Sequence, residues 1–238
     1  MPIVDPPSLM GSWIRVGDRF FMRRMIPPLF FGEVMSETIT PCRVMVFVDF
    51  WNYELSMKAL DPTFLTDWFK LPQVIVQEVS QLLQMPAHYE RCFVFGSYDS
   101  SSAKDAKLYS WATTKLSGVP GMNVKFLPRQ QRTKGPQCTG PEHHEITNCP
   151  YCNASMLGTQ EKGVDTQIVT EMLDKAYSNQ CDTIVLVSAD KDFVPAVEKL
   201  LNKGVKVIHA RMSNYGYELT RKSWGNFDLF RHREKFKR

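Results

Sequence analysis

Four aspartates stand where an α/β protein could use them for metal chemistry. Asp49 ends an apolar run, Asp165 opens a segment of helical periodicity, and Asp190 and Asp192 follow another apolar run. Carboxylates held close together raise one another's pKa, and a hard divalent cation such as Mg²⁺ or Mn²⁺ relieves the repulsion. Such a cation can activate a water and neutralise charge when a phosphodiester is hydrolysed. The pattern therefore favours metal-dependent phosphoester hydrolysis.

Helix capping is the alternative explanation for some of these acids. An Asp at a helix N-terminus stabilises the helix by about 0.5–2 kcal/mol, which is reason enough for Asp165 or Asp190 alone. Asp49 closes an apolar strand, where a charge needs a partner, and we do not expect it to be a cap. Two polar neighbours extend the set. Asn52 could orient a phosphate or a metal-bound water, and Ser188 could hydrogen-bond a carboxylate.

A second group of reactive side chains lies in the sequence CTGPEHHEITNCPYC, which begins at Cys138. Cys138, one of His143 and His144, and the pair Cys149 and Cys152 supply four ligands that suit tetrahedral Zn²⁺. The segment lacks apolar residues for a core of its own, so we expect a structural zinc ion to organise it. The alternatives are a redox pair, which leaves Cys138 and the histidines unexplained, or cysteines without a role.

Strands and helices alternate along the chain and must position these side chains. Apolar, β-branched runs predict strands, and apolar residues at helical spacing predict helices between them. The predicted strands are 43–49, 91–97, 122–127, 182–188 and 205–210, and the predicted helices are 73–84, 103–116, 164–177 and 191–202. This alternation favours parallel βαβ units. The carboxyl ends of such strands share one edge, where ligands bind and where the four aspartates can converge.

Three segments resemble the signatures of a known nuclease family. VFVDFWNYEL (46–55), EKGVDTQIVTEML (161–173) and VSADKDFVPAVEKLLNKGVKV (187–207) look like the three motifs of the NYN branch of the PIN-like nuclease superfamily, which includes the LabA-like proteins. The resemblance extends over residues 43–210 and implies an α/β fold, a PIN-like three-layer sandwich. Its central parallel sheet would have five strands in the order 3-2-1-4-5, and a small zinc-binding insert would be added to it.

The resemblance also implies metal-dependent RNA cleavage. The acids that it assigns to the metal, with their polar companion, are Asp49, Asp165, Asp190, Asp192 and Asn52. Two positions depart from the family pattern. Ala189 replaces the usual Gly, and its methyl group is tolerable at a negative φ. The pair Phe50-Trp51 is bulkier than the residues usual there, and these side chains either stack a base or pack in the core. Neither departure removes an acid.

The charge distribution favours a polyanionic partner. The net charge is only +4, but seven basic residues and one acidic residue lie within 103–134. A solvated basic face is the plain alternative. Together with the acids, this excess favours a long polyanion, and the family resemblance implies that the polyanion is RNA. The residues that we expect to contact it are Lys125, Arg129, Arg132, Lys134 and Ser188. A non-catalytic RNA-binding or interaction module and a metal phosphatase for small phosphoesters are the competing functions.

The chain divides into three predicted parts. Residues 1–40 lack a clear period, and we expect an extension that straps onto the domain, a partner chain or a second copy. The nuclease domain covers 41–215, including the zinc insert at 129–160. Residues 216–238 form either a solvated basic tail or an added phosphate-contacting arm. No apolar run approaches the roughly 18–20 residues of a membrane span, and the N-terminus does not read as a signal peptide, so we expect a cytoplasmic protein.

Overall fold

The computed structural model describes residues 12–16, 19–23 and 40–238, and the chain separates into two units, Met1–Thr38 and Ile39–Arg238. In the first unit, strand β1 (Ser12–Val16) pairs antiparallel with strand β2 (Arg19–Arg23). The remainder of the predicted strap, residues 1–40, lies outside the described residues, and its docking stays a prediction.

A parallel sheet of six strands forms the centre of the second unit. The strands of this unit, in chain order, are β3 (Cys42–Asp49), β4 (Ala87–Tyr98), β5 (Met122–Pro128), β6 (Gln130–Gln131), β7 (Thr159–Gln160), β8 (Thr183–Val187), β9 (Lys206–Arg211) and β10 (Gly225–Asp228). β6 and β7 form a separate two-stranded antiparallel sheet. The other six build the sheet in the order β10-β9-β8-β3-β4-β5.

This topology confirms the predicted order of the five strands and corrects their number. β10 adds a sixth strand, which pairs parallel with β9 at the edge, with Gly225 opposite Ile208. The β10 sequence is only Gly-Asn-Phe-Asp, too short and too polar for its periodicity to predict a strand. The central position of β3, between β8 and β4, places Asp49 in the middle of the carboxyl edge.

Helices cover both faces of the sheet. They are α1 (Phe50–Leu60), α2 (Lys70–Leu83), α3 (Ala103–Trp111), α4 (Val164–Tyr177), α5 (Val194–Lys203) and α6 (Tyr217–Lys222). Successive side chains of β3 point to opposite faces. Val46 and Val48 pack in the core formed with α1 and α2, whereas Met45 and Phe47 pack in the core formed with α4 and α5. Two cores on one sheet produce the three-layer arrangement.

Residues 216–238 do not form a solvated tail. They contain α6, β10 and a 3₁₀ segment at Leu229–Lys235. Leu229 and Phe236 are fully buried, and Phe236 packs edge-on against Phe64 at 5.6 Å between ring centroids. The segment therefore belongs to the folded domain. Among the described residues, no helix is long and apolar enough to cross a membrane.

Candidate functional site

Asp49 lies at the centre of the site, where β3 passes directly into α1. Its side chain is 6% exposed. One carboxylate oxygen accepts a hydrogen bond from the Asn52 backbone N–H at 3.3 Å, and the other accepts from Ser188 Oγ at 3.1 Å. Asp49 is thus the N-cap of α1, and the prediction that it would not be a cap was wrong. Burial first, and then the charges of Asp165 and Glu161, raise the pKa of Asp49 to about 7.

The loop after β8 carries the next two acids. The backbone N–H of Asp190 donates to Ser188 Oγ at 3.1 Å, and the Asp190 carboxylate accepts from the backbone N–H of Asp192 at 2.9 Å. Asp190 therefore caps the short 3₁₀ turn that leads into α5. Ala189, which replaces the expected Gly, is not among the residues with a positive φ, so its methyl group is accommodated.

Asp165 enters the site from the first turn of α4. The helix begins after Gly163, whose φ of 85° is a left-handed conformation that glycine adopts without strain. This accounts for the glycine of the Lys-Gly-Val-Asp sequence. Partial burial, and then the charges of Asp190, Glu161 and Asp192, raise the pKa of Asp165. The predicted acids therefore lie within electrostatic reach of one another.

The acids do not converge on a single point, however. Within the part of the chain that the structure describes, no three His, Cys, Asp or Glu side chains lie close enough to hold one metal ion. Their chemistry suits a hard cation, since carboxylates raise one another's pKa and a divalent ion offsets that repulsion. The carboxylate oxygens therefore fit Mg²⁺ or Mn²⁺ by type, although in the described residues no three of these groups form a common coordination sphere.

Glu161 is an acid that the sequence reasoning missed. It accepts a hydrogen bond from the buried Ser97 hydroxyl at the end of β4, and its charge acts on Asp49 and Asp165. The signal that could have identified it is its position directly before the Lys-Gly-Val-Asp sequence.

His209 is a second residue without a predicted role. Its Nε2 lies 2.8 Å from the Ser188 carbonyl oxygen, and its Nδ1 lies 2.9 Å from Thr220 Oγ1. Because a carbonyl only accepts, Nε2 carries the proton. Burial lowers the pKa of His209 to about 4, so the ring is neutral and supports the backbone of the residue that bonds Asp49.

The predicted RNA-contacting residues separate into different environments. Ser188 is fully buried behind Asp49, which corrects its assignment to substrate binding. Lys125 forms an ion pair of 2.6 Å with Glu171. Arg129 donates from Nε to Ser97 Oγ at 3.0 Å. Arg132 and Lys134 are exposed.

The cysteine–histidine insert forms two tight turns. Antiparallel bridges join Gln137 to Glu145 around the first turn and Asn148 to Ser155 around the second. The ligands predicted on the first turn are Cys138, His143 and His144, and those on the second are Cys149 and Cys152. The structure does not bring three of them together, so the predicted zinc site is not formed among the described residues.

A parallel sheet of this order with acids along its carboxyl edge defines an α/β protein consistent with the PIN-like sandwich. The family model of the NYN domain matches residues 43–222, and the chain therefore belongs to the NYN-domain family. The matched range includes all five acids of the site.

A solved structure supports the fold. It is the crystal structure of a protein of unknown function from Vibrio parahaemolyticus, with a TM-score of 0.54 and 16% sequence identity. The match covers 83% of this chain and 97% of the other. No curated protein sequence shows significant similarity to this chain.

Proposed function

We propose that this protein is a metal-dependent ribonuclease. The observation that carries the proposal is the group of acids at the carboxyl edge of the sheet in a protein of the NYN family, whose fold is that of the PIN-like nucleases. Asp49 is buried at its centre, and Asp165 and Glu161 act on it electrostatically. A folded protein retains such a repulsive group at a cost, which a bound cation would offset.

Mg²⁺ or Mn²⁺ is the cofactor that this donor set suits. The residues that would hold it are Asp49, Asp165, Asp190 and Asp192. When bound, the ion would supply an activated water and neutralise charge on the phosphodiester. The protein's own part is positioning. Ser188 and the Asn52 backbone N–H fix both oxygens of Asp49, and the Asn52 NH₂ group remains as a donor that could reach a phosphate.

Cleavage of end-labelled single-stranded RNA with Mn²⁺ or Mg²⁺ tests the proposal. Asp165→Asn and Asp192→Asn should each abolish cleavage, whereas Asp174→Asn should cleave like the unmodified protein. Asp174 makes a matched control because it is an exposed acid on the same helix as Asp165, where it pairs with Lys175. Equal cleavage by all four proteins would refute the assignment of the site.

A non-catalytic RNA-binding module on the same scaffold is the second candidate. It is favoured by one observation: no three acids of the described residues converge on a common metal position. RNA binding without cleavage, unaffected by Asp165→Asn, would establish this function instead.

We also propose that the insert binds a structural Zn²⁺. The backbone N–H of Gly140 donates to Cys138 Sγ at 3.3 Å, and hydrogen bonds from the N–H groups of Tyr151 and Cys152 lower the pKa of the Cys149 thiol. Backbone donors of this kind stabilise a thiolate, which is the form that binds zinc. The insert is almost wholly exposed, with Tyr151 at 96%, so apolar packing supplies little to hold its turns.

A further inference from the structure

A cleft of about 530 Å³ opens between α1 and α3, on the face of the sheet that α1 and α2 cover. Its size is within the range of small-ligand sites. Aromatic rings form much of its wall, from Trp51, Trp68 and Trp111. No part of the proposed mechanism uses this cleft.

The aromatic wall is fixed by packing from behind. Phe50 is buried and stacks on Trp68 at 5.9 Å between ring centroids, and Trp68 meets Trp111 edge-on at 6.3 Å. Trp51 and Trp111 are only partly buried and keep ring surface at the cleft. Rigid rings of this kind can stack a planar ligand with little loss of side-chain entropy.

Trp51 connects the cleft with the acid edge. Its indole N–H donates to the Ser97 carbonyl oxygen at 2.7 Å, and the Ser97 hydroxyl donates to Glu161. The Arg129 guanidinium lies over the Trp51 ring at 5.3 Å from its centroid. Trp51 lies in the first turn of α1, two residues after the N-cap Asp49. The wall of the cleft also includes Phe50, the residue that directly follows Asp49.

The charges at the rim favour an anionic ligand. The three acids that line the cleft already have partners. Glu54 forms an ion pair with Lys58 at 3.0 Å and Asp67 forms one with Lys70. Asp105 accepts a hydrogen bond from the Asp99 backbone N–H. Two rim lysines, Lys104 and Lys115, have no acidic partner among the described residues. They are exposed and free to contact phosphates on either side of a stacked base.

We propose that this cleft binds an unpaired nucleobase of the RNA strand whose backbone passes the acid edge. The inference rests on the proposed ribonuclease function and adds a base-binding subsite to it. Stacking on tryptophan is available to every base, so the subsite selects single-stranded over paired RNA rather than one sequence. An apolar helix of a partner protein fits the site less well, because it would leave the two lysines unpaired.

The first test measures binding of a fluorescein-labelled oligouridylate by anisotropy, with a chelator present. The double variant Lys104→Glu, Lys115→Glu should weaken binding by at least tenfold. Lys107→Glu should bind like the unmodified protein, because Lys107 is exposed on the same helix but does not line the cleft. Equal weakening by both proteins would show a general electrostatic effect and overturn the subsite.

A second test isolates stacking. Trp111→Leu should weaken binding of the oligouridylate by about 5- to 150-fold, the range given by loss of one base-stacking contact. Trp111→Leu should not weaken binding of a strand of the same length in which every nucleotide lacks its base. Equal loss for both strands would overturn the subsite. If the cleft variants bind and cleave RNA normally while Asp165→Asn does not cleave it, the subsite is wrong and the proposed ribonuclease function is retained. If the unmodified protein does not bind RNA, the proposed function itself is wrong.

Discussion

The side-chain oxygen of Asn52 accepts a hydrogen bond of 2.8 Å from the backbone N–H of Ala189. This bond ties the first turn of α1 to the loop after β8, across 137 positions of the chain. Asp49 caps that helix and Asp190 lies in that loop, so the Asn52 side chain joins the two segments that carry these acids. The side chain of Asn52, in the first family motif, therefore holds these two segments together.

Asn52→Ala should lower the free energy of unfolding by about 1–3 kcal/mol, because it leaves the Ala189 N–H without its partner. Asn52→Asp keeps an acceptor and should recover part of that stability, but it removes the NH₂ donor and should not recover cleavage. Urea unfolding followed by circular dichroism measures the first effect and the RNA assay the second. Asn202→Ala, at an exposed position of α5, is the control. An Asn52→Ala protein as stable as this control would mean that the bond contributes nothing in solution.

Asp49 should make the protein less stable as the pH rises. Burial first, then the charges of Asp165 and Glu161, raise its pKa from 3.8 to about 7, so folding favours the protonated carboxyl. Its cost to stability is absent below pH about 4, grows between pH about 4 and 7, and is constant above that. At pH about 8 with a chelator, Asp49→Asn should unfold with a free energy higher by up to about 4 kcal/mol.

Divalent ions provide the control for that measurement. Mn²⁺ should raise the unfolding midpoint of the unmodified protein at pH about 8, because a ligand that binds only the folded state stabilises it. It should raise the midpoint of Asp49→Asn much less. An Asp49→Asn protein that is no more stable than the unmodified one at this pH would show that the carboxyl does not carry the expected cost.

His209 should make the protein less stable as the pH falls, which is opposite to the effect of Asp49. Burial lowers its pKa from 6.5 to about 4, so its contribution to stability is complete above pH about 6.5 and is lost as the pH falls towards 4. His209→Gln should remove about 3 kcal/mol of that pH dependence. The variant His88→Gln, at an exposed histidine, is the control. Thermal unfolding over this pH range measures both. Parallel pH profiles for the two variants would contradict the buried, neutral state of His209.

Much of the sheet could be predicted because its strands are continuous apolar runs. Such a run, as in β8, is typical of a parallel strand that is buried on both faces. Helix α1 was missed although Phe50, Tyr53 and Met57 are its buried residues, because it follows β3 without a loop. Because α1 was not predicted at this junction, the role of Asp49 as its N-cap was not predicted either. The sequence indicated one edge of the sheet for the acids, because Asp49 ends a strand, Asp190 and Asp192 follow another, and Asp165 lies at the start of a helix. Their separations were not, since these depend on tertiary bonds such as that between Asn52 and Ala189.

Loss of the proposed zinc ion should disorder the insert. We expect the purified protein to contain one equivalent of zinc, and Cys149→Ser to release it, as measured by elemental analysis. Chymotrypsin should then cut the insert faster at Tyr151, because its exposed turns have little apolar packing to replace the metal. Cys181→Ala, at a buried cysteine in the second core, should keep the zinc. Unchanged zinc content in Cys149→Ser would refute the assignment.

Lys125 and Arg129 should differ in RNA binding although the sequence predicted one role for both. The ammonium group of Lys125 is paired with Glu171 at 2.6 Å, so Lys125→Ala should cost stability and change RNA affinity little. Arg129 lies over Trp51 and has Ser97 Oγ as its hydrogen-bond acceptor rather than a carboxylate, which leaves its charge available to a phosphate. Arg129→Ala should therefore weaken binding and lower the slope of log affinity against log salt by about 0.7, the value for one phosphate contact on a single strand. An equal change of slope in both variants would show that the Glu171 pair does not hold Lys125 away from RNA.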